Sequence, residues 1–184
     1  MKIQNYFLIA IGGAIIGAAS GFALRALDDA DRQPIDSPVK AVEQLDVLPN
    51  FSYADLEGRQ RQAEEFTDKV VVLNFWATWC PPCRKETPAF VALQEAFDGD
   101  VQFIGIAIDD EEPVREFADN YSVNYPLLLG DIDAVALSRS LGNRHEGLPF
   151  TVVASPGGQV VLRHTGELER AELESLLRDL TSSG

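Results

Sequence analysis

Residues 74–88 read NFWATWCPPCRKETP, and this stretch holds both cysteines of the chain, Cys80 and Cys83. A pair so placed could lock the fold, bind a metal or exchange electrons with another protein. A bridge closing so short a loop constrains the unfolded chain very little, so fold-locking is the weakest of the three uses. A structural zinc site usually takes four ligands. To complete one, the pair would have to recruit His145 and His164, which stand nineteen residues apart and not at zinc-finger spacing. The flanking sequence favours electron exchange.

Upstream, KVVVLNFW (residues 69–76) is a continuous run of β-branched and aromatic residues, the pattern of a buried central strand. Downstream, the residues from Pro81 to Phe97 read as a helix. Pro81 suits its first turn, and Phe90, Leu93 and Phe97 share one face. A short strand and turn are expected from Phe51, a second buried strand over residues 101–109 and a helix over 113–121. A short strand at 126–129 and a helix at 133–141 follow. PFTVVA and QVVLRH flank Ser155-Pro156-Gly157-Gly158 as a hairpin, and a last helix spans 169–180. The sum is an α/β domain, a central mixed sheet flanked by helices on both faces.

The cysteines therefore fall where a central strand passes into its helix. Unpaired N–H groups and the dipole at a helix N-terminus stabilise a thiolate. They act more strongly on Cys80 than on Cys83, one turn deeper. Such a setting lowers a cysteine pKa from about 8.5 to roughly 3.5–7.5, so Cys80 is the expected nucleophile and Cys83 the resolving thiol. Pro81-Pro82 between them offers no charged or hydrogen-bonding side chain to the thiolate. A less stabilised thiolate makes a more reducing couple, which points to a reductant.

The chain has 184 residues, 46% of them hydrophobic, enough for one ordinary domain with a core plus an appendage. Its net charge of −14 repels phosphate backbones and argues against a nucleic-acid partner. Residues 6–24, YFLIAIGGAIIGAASGFAL, carry no charge over nineteen positions, about the length that spans a bilayer. Lys2 precedes the stretch and Asp28, Asp29 and Asp31 follow it, so the N-terminus is expected on the cytoplasmic side. Residues 1–26 are read as an N-terminal transmembrane helix. GAAS (17–20) leaves a cleaved signal peptide as the alternative. Residues 27–47 are read as an acidic linker broken by Pro34 and Pro38, and residues 48–184 as the folded domain.

NFWATWCPPCRKETPAF, with GLPFTVVASPGGQVV downstream, resembles the membrane-anchored thioredoxin-like proteins of the TlpA/ResA type, from about Leu48 to the C-terminus. The resemblance implies a thioredoxin-like fold on a single-pass anchor in the bacterial inner membrane, with the soluble domain facing the periplasm. It implies thiol:disulfide exchange that reduces disulfide-containing client proteins, such as apocytochrome c or copper-site assembly proteins. Electrons would come from a membrane thiol carrier of the DsbD/CcdA type, and no cofactor or metal is expected. By the same match Cys80 attacks and Cys83 resolves. Pro149 would be a cis-proline facing the pair, with Leu148 offering its backbone to the client and Trp79 beside the thiols.

Asn74 stands where thioredoxin itself carries a buried aspartate as proton acceptor, so another acid is needed. Some members of the family place a carboxylate after the second buried strand, where this chain has Asp110 and Glu111. Glu86 belongs to the family motif and is a possible site residue, although its position reads as helix surface. Two rival functions stay in view. A copper chaperone could use Cys80, Cys83 and His145, since soft thiolates suit Cu(I). A thiol peroxidase would want a threonine where this chain has Ala77.

Overall fold

A computed structural model describes residues 45–182. The expected anchor at 1–26 and the linker as far as residue 44 lie outside the described residues.

Seven strands form one sheet: β1 (Ser52–Asp55), β2 (Gln60–Gln62), β3 (Val70–Trp76), β4 (Val101–Ala107), β5 (Leu127–Leu129), β6 (Phe150–Ala154) and β7 (Val160–Thr165). Among the described residues four α-helices accompany them: α1 (Pro81–Ala96), α2 (Glu111–Tyr121), α3 (Asp131–Ser140) and α4 (Arg170–Ser182). The strand order is β2-β1-β5-β4-β3-β6-β7. β3 pairs with β4 in parallel and with β6 antiparallel, which makes the sheet mixed. Parallel neighbours need a long crossover, and α1 supplies it between β3 and β4.

All seven residues of β3 are buried, because both faces of the sheet are covered. Val71, Leu73 and Phe75 point to one face, where they pack with Ile104, Ile106, Phe150, Val152 and the α3 residue Ala134. Val70 and Val72 point to the other, against Phe90 and Leu93 of α1 and Leu173 and Leu177 of α4. By the two-residue alternation of a strand, Asn74 belongs to this second face. It is paired across the sheet with Gly105 of β4 and Thr151 of β6.

Three differences from the expected elements have simple causes. β2, QRQ, is a polar edge strand with no hydrophobic pattern to announce it. α2 begins at Glu111, ahead of Pro113, because proline is tolerated through a first turn whose acids Glu111 and Glu112 suit the dipole. The domain also extends before Leu48. Leu45 N–H donates to Ser140 O at 3.0 Å, and Asp46 O accepts from Val160 N–H at 2.8 Å.

Candidate active site

Cys80 is the N-cap of α1, in extended backbone conformation. Its sulfur accepts from the Cys83 N–H at 3.3 Å. Pro81 and Pro82 have no N–H, so this is the donor that the first turn directs at the Cys80 sulfur. The two cysteines are joined as a disulfide, with Cα atoms 5.3 Å apart. Both are buried in an apolar cluster with Trp76, Ala77, Ala107, Val114, Phe117 and Leu127.

Three loops frame the pair. The Thr78–Trp79 turn before Cys80 leaves Trp79 65% exposed, so its indole is surface available for docking. Thr78 is held by Asp109, which follows β4, through the backbone N–H at 2.9 Å and the hydroxyl at 2.5 Å. In the loop before β6, the Leu148–Pro149 bond is cis. Pro149 is buried, and half-buried Leu148 packs against the cluster that contains the cysteines. The buried amide of Asn143 braces this loop, giving its N–H to Gly147 O and accepting Gly147 N–H, each at 3.0 Å.

Behind Cys83, one turn along α1, lies Glu86. The helix-surface reading is corrected here: Glu86 is only 3% exposed, because its face of α1 turns inward toward the sheet and the loop before α4. Oε1 accepts from Asn74 Nδ2 at 2.9 Å, and Oε2 from Leu168 N–H at 3.1 Å. Asn74 Nδ2 also donates to Thr151 Oγ1 at 3.0 Å. Burial raises the Glu86 pKa to about 7, against the two hydrogen bonds that favour its charge and with a further push from Glu167. A carboxyl so poised can take and return a proton near neutral pH.

The other acids lie elsewhere. Asp110 is the exposed N-cap of α2, and exposed Glu111 pairs with Arg115 at 2.6 Å. His145 is exposed. Among the described residues no three His, Cys, Asp or Glu side chains gather into a metal-ligand set, so Cys80, Cys83 and His145 are not assembled as a copper site.

Sequence reading missed Asp109, Asn143 and Thr151. Asp109 reads as the last residue of the second strand, Asn143 as an ordinary loop residue and Thr151 as one more β-branched strand residue. Only the periodicity of β6, which puts Thr151 on the same face as Val153, could have hinted at an inward hydroxyl.

A helix-capping cysteine pair on this α/β scaffold defines a thioredoxin-like thiol–disulfide oxidoreductase. The chain belongs to the redoxin family, whose model, described as Redoxin, matches residues 43–180. It is 30% identical to the thiol-disulfide oxidoreductase ResA of Bacillus cereus over 169 residues, covering 91% of each chain. It is 32% identical to the thioredoxin-like protein YneN of Bacillus subtilis over 133 residues, covering 70% of this chain and 75% of that one. A thiol:disulfide interchange protein from Chlorobium tepidum shares the fold at a TM-score of 0.68 and 24% identity, covering 73% of this chain and 95% of that one.

Proposed function

We propose that the protein works as a reductant of disulfides in client proteins outside the cytoplasm, held to the membrane by its N-terminal segment. The observation that carries the chemistry is the arrangement along α1: Cys80 at the cap, Cys83 one turn in, and buried Glu86 one turn further. In the reduced state the Cys80 thiolate attacks a client disulfide. A Cys80–client bond forms, and the client's other sulfur leaves as a thiolate that takes a proton from solvent. Cys83 then gives its proton to Glu86 and attacks the Cys80 sulfur. The Cys80–Cys83 disulfide forms, the second client thiol is released, and two electrons have passed to the client.

The direction rests on the cap. With Pro81 and Pro82 silent, one N–H supports the Cys80 thiolate, so the reduced form is less stabilised and the couple more reducing. The uncharged stretch at residues 6–24 supports an anchor with the domain on the far side of the inner membrane. Likeness to a thiol-disulfide oxidoreductase supports disulfide-containing clients, and the TlpA/ResA-like motif implies apocytochrome c or copper-site assembly proteins among them, with a membrane thiol carrier of the DsbD/CcdA type as electron source. Trp79, Leu148 and Pro149 are assigned to the surface that receives the client chain.

The test is a trap. In full-length Cys83→Ser, Cys80 can still attack but the resolving thiol is gone, so the mixed disulfide accumulates and its partner can be identified by mass. Capture of an exported protein with paired cysteines is the expected result. Equal capture by Cys80→Ser would overturn the assignment of roles. A midpoint potential as high as that of a dedicated disulfide donor, measured against glutathione, would overturn the direction.

A further inference from the structure

Asn74 sits buried in the middle of a central strand whose other six residues are apolar. A buried amide must find partners for its polar atoms, and this one gives both of its N–H bonds to named acceptors. One goes to Glu86 Oε1 at 2.9 Å and the other to Thr151 Oγ1 at 3.0 Å. The amide orientation follows from chemistry, since an ionised Glu86 carboxylate only accepts. The carboxylate's other oxygen is held by a backbone group, Leu168 N–H at 3.1 Å. That donor does not depend on any side chain. Asn74 is thus the side chain that specifies how Glu86 is held.

We propose that Asn74 is a positioning residue for thiol exchange. It acts through Glu86, fixing the carboxylate behind Cys83 and favouring its charged form, so that the carboxylate can accept the Cys83 proton near neutral pH. This rests on the reading of Glu86 as that acceptor. Apart from the Leu168 N–H, the other groups facing Glu86 either oppose its charge or are neutral toward it. Glu167, in the loop before α4, repels the carboxylate, though its own charge is engaged by Lys85 at 2.7 Å. Tyr125 is a half-buried phenol that resists ionisation, first through desolvation and then through Glu86 itself. Cys83 on α1 is the thiol that donates, and Thr151 on β6 is a neutral hydroxyl facing Asn74. The Asn74 amide and the Leu168 N–H are what offset burial. An aspartate at position 74 would do the reverse. Two carboxylates at hydrogen-bond distance cannot both ionise readily, so they would share a proton.

The experiment follows single-turnover reduction of a synthetic disulfide peptide by the reduced full-length protein, from about pH 5 to about pH 9, where a general base reports itself as an inflection. Asn74→Leu removes the donor at similar volume. The inflection should move to higher pH by about one unit, the tenfold change expected for losing a hydrogen bond to a charged group. Asn74→Asp keeps the size if the leucine variant does not fold, and should move the inflection upward further. In a Glu86→Gln background Asn74→Leu should not move the profile, which separates positioning from general damage to the fold. An inflection unchanged from wild type in a folded Asn74 variant overturns the role of Asn74 and leaves Glu86 as acceptor. An equal shift in the Glu86→Gln background also overturns it. A Glu86→Gln profile identical to wild type overturns both readings together.

Discussion

Thr78 and Asp109 are joined twice: one carboxylate oxygen of Asp109 accepts both the Thr78 N–H, at 2.9 Å, and its hydroxyl, at 2.5 Å. The link ties the turn that delivers Cys80 to the end of the strand beside it. Without it, the cap of α1 would hang from β3 through an irregular stretch held by the Ala77 O–Cys80 N–H bond at 3.2 Å and the bond from Arg84 Nη1 to Thr78 O at 3.5 Å.

Asp109→Ala should therefore cost about 1–3 kcal/mol of stability, since the two Thr78 donors and the Asp110 N–H lose their acceptor. Asp109→Asn keeps one acceptor oxygen and should lose less. Urea unfolding of the oxidised protein measures both. A loss below about 0.5 kcal/mol for the alanine variant, the range of an ordinary surface change, would show that the turn is held by something else.

Glu86 makes a pH prediction with a definite sign. Its pKa is about 7 in the folded protein, above the ordinary glutamate value of 4.5. Between those values the folded state holds a proton that the unfolded chain releases, so stability declines as pH rises through that window and levels off above it. The decline attributable to this group is about 3 kcal/mol, an upper figure for so buried a site. Glu86→Gln should flatten that part of the stability–pH curve, whatever its absolute stability, because an amide must face one of the two donors with its own N–H. A mutant curve parallel to wild type across the window would show that Glu86 is charged in the folded state throughout.

The silent first turn predicts the effect of Pro82→His on the couple. The substitution restores a backbone N–H near the cap and adds an imidazole that can carry positive charge beside the Cys80 thiolate. The reduced form gains, and the midpoint should rise by about 30 mV for each tenfold change in the exchange constant. Equilibration with glutathione reads it directly. A midpoint that stays or falls would remove the proline pair from the explanation of direction.

Gly105 faces Trp76 and Leu127 so closely that a side chain has no room. A Cβ there would lie 2.7 Å from Leu127 Cδ2 and 2.8 Å from Trp76 Nε1. Trp76 and Leu127 both belong to the apolar cluster around the cysteines. Gly105→Ala should cost about 1–3 kcal/mol by overpacking and should change the fluorescence of Trp76. Full stability with an unchanged emission spectrum would mean that the cluster yields more readily than its contacts indicate.

Much of this fold is local information. The apolar run of β3, the proline-led start of α1 and the Gly-Gly turn between β6 and β7 each state their structure within a few residues. The Cys-x-x-Cys spacing places its chemistry at a helix cap without reference to the rest of the chain. The identity of the acid behind Cys83 is another matter. Helical periodicity says which residues share a face with Glu86 but not what that face meets, and an acid flanked by Lys85 and Thr87 reads as surface. Asp110 and Glu111 looked better placed because they follow a buried strand. The tertiary structure buries Glu86 and leaves Asp110 and Glu111 exposed, since only sheet pairing brings Asn74 beside Thr151 and only packing of the loop before α4 carries Leu168 to Glu86. What a side chain is wrapped in depends on contacts across 77 residues for Asn74 and Thr151, and 82 for Glu86 and Leu168. Burial lifts the pKa of an ordinary carboxyl to about 7, and burial belongs to the assembled chain.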